Sequence, residues 1–249
     1  MRVGLYGFGR TGRAVASLLL LSNEANLEWV VRKSTTLQHR SVPEFLGIKS
    51  SEKGTIISKD EISPGDLLDK NPVDVIIDFS SAEAILEYGT EAAKRNIAIV
   101  SAISSYPMTA RKHLHMLSKK TRILWSPNIT VGINFLILAA KIMKTISPGI
   151  DVEIIEEHFK NKDGVSGTAV KISEALSLDK ASIKSVRAGG IVGRHEILFG
   201  FPYQTVRLIH ESIAREAFAS GALFAAQRLL ERGPGYYTME DLLIPFFRI

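Results

Sequence analysis

The chain has 249 residues, 45% of them hydrophobic, which is enough for one large domain or two small ones with real cores. It contains no cysteine, and this excludes a disulfide framework, a thiolate nucleophile and a Cys-based metal site. Net charge is +5 and the isoelectric point about 9.3, with basic residues dispersed rather than clustered among aromatics, so the excess suits anionic small ligands and argues against nucleic acid.

No apolar run approaches the ~20 residues of a membrane helix. The opening Met1-Arg2-Val3-Gly4-Leu5-Tyr6 is too soon interrupted by glycine for a signal peptide. A cytoplasmic protein without a membrane partner is expected. Residues 2–6 read as a short apolar strand and 13–21 as a helix. Between them stands Gly7-Phe8-Gly9-Arg10-Thr11-Gly12. Strand, G-x-G-x-x-G, helix is the order of a dinucleotide site: a tight turn, a backbone open to a pyrophosphate, and a helix packed close on the strand. A second strand is predicted over 27–31. An NAD site carries Asp or Glu near its end for the ribose 2′-hydroxyl. Here Arg32 and Lys33 stand in that place. Two cations suit a 2′-phosphate, which favours NADPH, with NADH as the alternative cofactor.

Residues 34–72 show no sustained period and read as loops with a short helix or strand. Residues 74–79 form an apolar, doubly buried strand. A helix over 82–95, a strand over 97–100, a helix over 108–118 and a strand over 122–125 follow. Alternating strands and helices imply a doubly wound parallel sheet of Rossmann type. Ligands bind such sheets beyond the C-terminal strand ends, which puts Gly7, Arg32, Phe79, Ser101 and Ser126 on one rim. The stretch Ser126-Pro127-Asn128-Ile129-Thr130 opens a boundary, and a helix is predicted over 135–146. From residue 151 the pattern changes to polar–apolar alternation over 152–158, 184–187, 196–200 and 205–210, which indicates a mixed or antiparallel sheet in an α+β domain. Residues 216–232 read as a further amphipathic helix.

The chemistry concentrates around His158. The strand ending there is followed by Lys162 and by Ser166-Gly167-Thr168 at a helix start. Free backbone N–H groups and hydroxyls at such a start make an anion site. A histidine titrating near neutrality, with a lysine four residues on, supplies protons beside it. Glu156 and Glu157 read as strand residues, one facing solvent, and His195 and His210 as hydrogen-bonded structural histidines. No H-E-x-x-H, P-loop or G-x-S-x-G occurs, so no metal site and no serine triad is expected.

With these residues in order, the chain resembles the dihydrodipicolinate (4-hydroxy-tetrahydrodipicolinate) reductase family of bacterial lysine biosynthesis. The resemblance rests on Gly9-Arg10-Thr11-Gly12, Ile77-Asp78-Phe79, Ser126 to Asn134, His158 with Lys162 and Ser166-Gly167-Thr168-Ala169, Arg187-Ala188-Gly189, Gly193 with His195, His210 with Arg215, Phe218 to Ala222, and Gly235-Tyr236-Tyr237. It implies a dinucleotide-binding domain (residues 1–129 and 216–249) and a substrate-binding, tetramerising domain (residues 130–215). It implies an NAD(P)H-dependent reduction of 4-hydroxy-tetrahydrodipicolinate, a small anionic dicarboxylate, by a homotetramer. His158 takes the place of the general acid and Lys162 that of the second proton donor. Ser166, Gly167 and Thr168 hold a substrate carboxylate. Phe79, Ser126, Asn128 and Ile129 join Gly7, Phe8, Gly9, Arg10, Thr11, Gly12, Arg32 and Lys33 around the cofactor. Three departures stand out. Phe159 replaces a second histidine, Ser101-Ala102-Ile103 replaces a Gly-Thr-Thr loop, and Arg194 replaces an acid. They leave open a same-fold reductase of another imine or acid, or a non-catalytic NADPH-binding homologue.

Overall fold

The computed structural model describes residues 1–247. In chain order the elements are β1 (Arg2–Tyr6), α1 (Arg10–Leu21), β2 (Asn26–Arg32), α2 (Val42–Leu46), β3 (Thr55–Ser58), α3 (Pro64–Lys70), β4 (Val75–Asp78), α4 (Ala84–Lys94), β5 (Ala98–Ser101), α5 (Met108–Leu117) and β6 (Arg122–Trp125). There follow α6 (Val131–Ile146), β7 (Asp151–His158), α7 (Gly167–Ala175), β8 (Ile183–Arg187), β9 (Arg194–Gly200) and β10 (Thr205–Glu211), then α8 (Glu216–Leu230), β11 (Gly235–Tyr237) and α9 (Met239–Leu243). The chain divides into two compact units: Met1–Thr130 with the segment from Phe218 onward, and Val131–Ala217.

The first unit is built on a seven-stranded sheet in the order β11-β6-β5-β4-β1-β2-β3. Every pairing in it is parallel. β4 and β5 are buried along their whole length, as strands covered by helices on both faces must be. Chain order reverses between β1 and β4, so the loops after these strands diverge and leave a crevice at their C-terminal ends. Below that crevice Tyr6 stacks on Tyr88 at 4.3 Å and meets Trp29 edge-on at 5.7 Å. The stretch over 34–72 holds two helices and an edge strand. α2 and α3 are started by Ser41 and Ser63, whose side chains accept from the N–H three residues on, each with a proline in the first turn.

The second unit carries a four-stranded mixed sheet in the order β10-β9-β7-β8. β7 pairs parallel with β8 and antiparallel with β9, which pairs antiparallel with β10. β7 alternates strictly, so Val152, Ile154, Glu156 and His158 share its buried face. Val152 and Ile154 pack with Ile133, Leu136 and Ile137 of α6 and Ala169 and Ile172 of α7. The same pleat carries two polar groups to the end of that apolar face.

Several boundaries differ from the sequence reading. α6 begins at Val131, four residues before the predicted start, because Ile133 and Asn134 already belong to its buried side. α4, α5 and α8 end one or two residues earlier than predicted. β11, three residues long and parallel to β6, was not foreseen. Among the described residues, no helix is long and apolar enough to cross a membrane.

Candidate active site

In the first unit the turn after β1 has the three glycine environments that a pyrophosphate site requires. Gly7 has φ +96, and a Cβ there would stand 2.6 Å from the Phe79 backbone. A Cβ on Gly12 would stand 2.0 Å from the Gly7 carbonyl, so α1 sits directly on the turn. Above Gly9 there is nothing within 4 Å. Gly9 is also the N-cap of α1 and supplies no side-chain acceptor, and no acidic residue occupies the first helical turn. The α1 amides thus keep their capacity for an anion.

A cavity of about 710 Å³ opens on this turn, lined by Gly7, Gly9, Arg32, Lys33, Phe79 and Ser80 among others. Neither Arg32 nor Lys33 forms an ion pair among the described residues. A second cavity of about 560 Å³ also borders Phe79 and Ser80, and is lined by Thr11, Ile103, Pro127 and Ile129. The residues present therefore fit a dinucleotide: open backbone at Gly9, uncapped amides, and unpaired cations beyond. Arg10 is exposed on α1. The Phe8 ring is turned into the fold, 5.6 Å from Phe45 with the Arg13 guanidinium over both, so only its backbone remains for a ligand. The Ser126 hydroxyl donates to the Asn128 carbonyl at 2.6 Å, and the Thr130 hydroxyl bonds Asn128 Oδ1 at 3.2 Å. These side chains shape the 126–130 turn.

Asp78, which the sequence offers only as part of Ile77-Asp78-Phe79, has a structural role. It is fully buried and accepts from the Ser80 N–H at 2.8 Å, the Ser80 hydroxyl at 2.5 Å and the Tyr88 hydroxyl at 2.8 Å. Burial pushes its carboxyl up to about 6 against those hydrogen bonds. It braces the loop that both cavities share.

In the second unit the pleat of β7 delivers His158 and Glu156 together. His158 Nδ1 lies 2.5 Å from Glu156 Oε2. Glu156 has no exposed side-chain surface. Arg187 donates to it twice, at 3.0 and 2.5 Å, the Ser185 hydroxyl donates at 2.6 Å and the Ser166 N–H at 3.4 Å. Burial opposes its ionisation, but the hydrogen bonds of Arg187, then Ser185 and His158, outweigh that and bring the carboxyl down to about 2. An ionised carboxylate only accepts, so His158 carries a proton on Nδ1 and turns Nε2 to the other side. Gly193 lies there: a Cβ on it would stand 3.0 Å from Nε2.

Arg187 also holds the loop that follows β7. It donates to the Lys162 carbonyl at 3.1 Å and to the Gly164 carbonyl at 2.6 Å. Lys162 is half-buried, and its ammonium makes no ion pair among the described residues. The loop ends at Ser166, the N-cap of α7, whose hydroxyl accepts from the Ala169 N–H at 3.0 Å and lies 2.8 Å from His195 Nε2. Burial, then the neighbouring His158, lower His195 to about 4, so its ring is neutral where it shares a hydrogen bond with the Ser166 hydroxyl. The Ser166 hydroxyl is engaged in both contacts, and α7 begins directly after it at Gly167 and Thr168. Gly167 is exposed, with nothing within 4 Å of a Cβ.

Glu156, a strand residue as expected, is in addition the partner of His158. His195 is structural in its hydrogen bond, yet its ring meets His158 at 5.2 Å and 75°. Arg194 is accounted for by its pairs with Glu157 at 2.5 Å and Glu196 at 2.7 Å, on the sheet face opposite to His195. Phe159 is 45% exposed beside His158.

Residues 1–129 match the family model for the N-terminus of dihydrodipicolinate reductase, and residues 129–243 match that for its C-terminus. A 4-hydroxy-tetrahydrodipicolinate reductase from Caldanaerobacter subterraneus subsp. tengcongensis is 37% identical over 196 residues, 70% of this chain and 78% of that one. One from Syntrophus aciditrophicus is 32% identical and aligns over 95% of this chain and 96% of its own. A solved structure of dipicolinate-bound dihydrodipicolinate reductase from Paenisporosarcina sp. TG-14 superposes with a TM-score of 0.79 at 22% identity, covering 96% of this chain and 97% of that one. Taken with the Rossmann-type nucleotide-binding unit and the mixed-sheet unit, these matches place the chain in the dihydrodipicolinate reductase family.

Proposed function

We propose that this chain is an NAD(P)H-dependent 4-hydroxy-tetrahydrodipicolinate reductase, forming tetrahydrodipicolinate in lysine and diaminopimelate biosynthesis. The observation that carries the chemistry is the buried Glu156–His158 pair at the end of β7. The open backbone at Gly9 and the first-turn amides of α1, Arg10 to Gly12, hold the pyrophosphate, while the Gly7 N–H donates to the Val31 carbonyl and fixes the turn. Arg32 and Lys33 hold a 2′-phosphate, so NADPH is the preferred form. The bound cofactor supplies the hydride. Glu156 orients the His158 ring and balances a positive imidazolium, so Nε2 is the atom that gives its proton to the reduced substrate. Lys162, on the loop clamped by Arg187, assists from its ammonium. The exposed start of α7 at Gly167 and Thr168 receives a substrate carboxylate. The bare face of the mixed sheet, with Ile155, Leu198 and Ile209 between charged pairs, supports the homotetramer reading.

Phe159 favours one second reading, a reductase of the same design acting on another small imine or acid. The discriminating experiment follows nicotinamide absorbance with freshly generated 4-hydroxy-tetrahydrodipicolinate. Substrate-dependent NADPH oxidation is expected. A protein that binds NADPH but does not oxidise it with this substrate contradicts the assignment and leaves the second reading.

A further inference from the structure

The 2′-phosphate seat contains a cation that the spacing from the glycines does not reveal. β3 is the edge strand beside β2, and their parallel register sets Ser58 against Arg32. One residue on, the Lys59 N–H donates to the Arg32 carbonyl at 2.8 Å. Lys59 therefore emerges on the same rim as Arg32 and lines the same 710 Å³ cavity, together with Lys33 and Ser34. Its ammonium lies 3.1 Å from Glu87 Oε1 of α4. The side chains are 33% and 44% exposed. Glu87 and Glu83 line the cavity too, so three cations face two carboxylates.

This arrangement has a consequence for a dianionic ligand. Without Lys59, Glu87 would present an unopposed carboxylate where a phosphate must sit. With it, the carboxylate is neutralised, and an ammonium with three donors serves Glu87 and a phosphate oxygen together. Beyond Lys59 a smaller cavity of about 200 Å³ shares Tyr6, Val31, Lys59 and Glu87 with the first. Its wall carries the Ser58 hydroxyl, fully buried and without a partner among the described residues. A nucleotide reaching past Lys59 offers that hydroxyl the hydrogen bond it lacks.

We propose that Lys59 is a specificity residue for the cofactor, the third cation of the 2′-phosphate seat, kept in place by Glu87. This rests on the dinucleotide reading of the cavity, and it concerns discrimination: a neutral 2′-hydroxyl gains little from Lys59, a 2′-phosphate gains a charge-assisted hydrogen bond. A surface ion pair of purely local value would leave both nucleotide forms bound alike.

The test is calorimetric titration of the wild type, Lys59→Met, Lys59→Arg and Glu87→Gln with 2′,5′-ADP and with 5′-ADP at one fixed salt concentration. It needs no turnover. Lys59→Met is expected to weaken 2′,5′-ADP by about tenfold while leaving 5′-ADP within about twofold. Lys59→Arg should keep most of the preference, and Glu87→Gln should strengthen 2′,5′-ADP. Equal weakening of both nucleotides by Lys59→Met, or unchanged 2′,5′-ADP binding, overturns the proposal while the dinucleotide reading stands. A wild type that binds neither nucleotide removes the dinucleotide reading itself, and Lys59 with it.

Discussion

Glu156 sits out of solvent with Arg187 donating to it twice and Ser185, Ser166 and His158 completing its shell. Removing one member of such a buried pair leaves the other charge uncompensated, so Glu156→Ala should destabilise the fold by about 3–5 kcal/mol. Glu156→Gln keeps the shape but not the charge. It should spare most of the stability, yet lower kcat by about 10²-fold because the imidazolium loses its counter-charge; unchanged kcat would remove Glu156 from the mechanism. Acid lability follows from the same groups. The Glu156 carboxyl is lowered from 4.5 to about 2, so its pairing stabilises fully above 4.5 and the contribution is lost as pH falls towards 2. His195 is lowered from 6.5 to about 4, so the unfolded chain takes up that proton first and stability declines as pH falls from 6.5 to 4. Asp78, raised from 3.8 to about 6, works in the opposite sense, its contribution present below 3.8 and lost as pH rises through 6. The readout is thus a comparison: thermal melts of His195→Gln should vary less between pH 6.5 and 4 than those of the wild type. Gly193→Ala tests the other side of the ring. Its methyl would stand 3.0 Å from Nε2 of a histidine that Glu156 prevents from retreating, so kcat/KM should fall by about tenfold or more with little change in Tm.

At the scale of elements, α8 meets the backbone of the first unit without a side chain between them. A Cβ on Gly221 would stand 2.1 Å from the Ile129 carbonyl, and Ala219, Ala222, Ala225 and Ala226 are buried around it. Gly221→Ala forces a backbone shift and should cost about 1–3 kcal/mol, a fall of several degrees in Tm by calorimetry, whereas Gly233→Ala, with open space at the Cβ, should melt like the wild type. The long elements β7, α5 and α8 lie where alternation or helical period put them, to within two residues, and the four-residue strands β4 and β6 show as apolar runs between helices. β3, β11, α2 and α3 carry neither a sustained apolar run nor enough repeats to show a period. The same limit applies to the site. His158, Lys162 and the Ser166–Thr168 helix start lie close in sequence and were read together. Glu156 was read only as a strand residue, because alternation puts it on the face of His158 but does not say what charge would hold it there. What draws it inside is Arg187, 31 residues away on the parallel strand β8, a partner that no local spacing reveals.

Across the molecule, the proposed function puts nucleotide binding and proton chemistry on different units. Gly7 to Gly12, Arg32, Lys33, Phe79 and Ile129 belong to the first, and Glu156, His158, Lys162, Gly167 and Arg187 to the second. Each unit has its own buried cluster. A substitution in the acid–base cluster should therefore leave cofactor affinity intact, and this separates a chemical defect from a binding defect. The most direct measurement is the rate of NADPH oxidation with 4-hydroxy-tetrahydrodipicolinate by the wild type and His158→Ala, alongside NADPH titration of both. Loss of about 10²–10⁴ in kcat, some 3–5 kcal/mol of transition-state stabilisation, with equal NADPH affinity is the expected result. Equal turnover by the two proteins would contradict His158 as the proton donor, and with it the mechanism built on the end of β7.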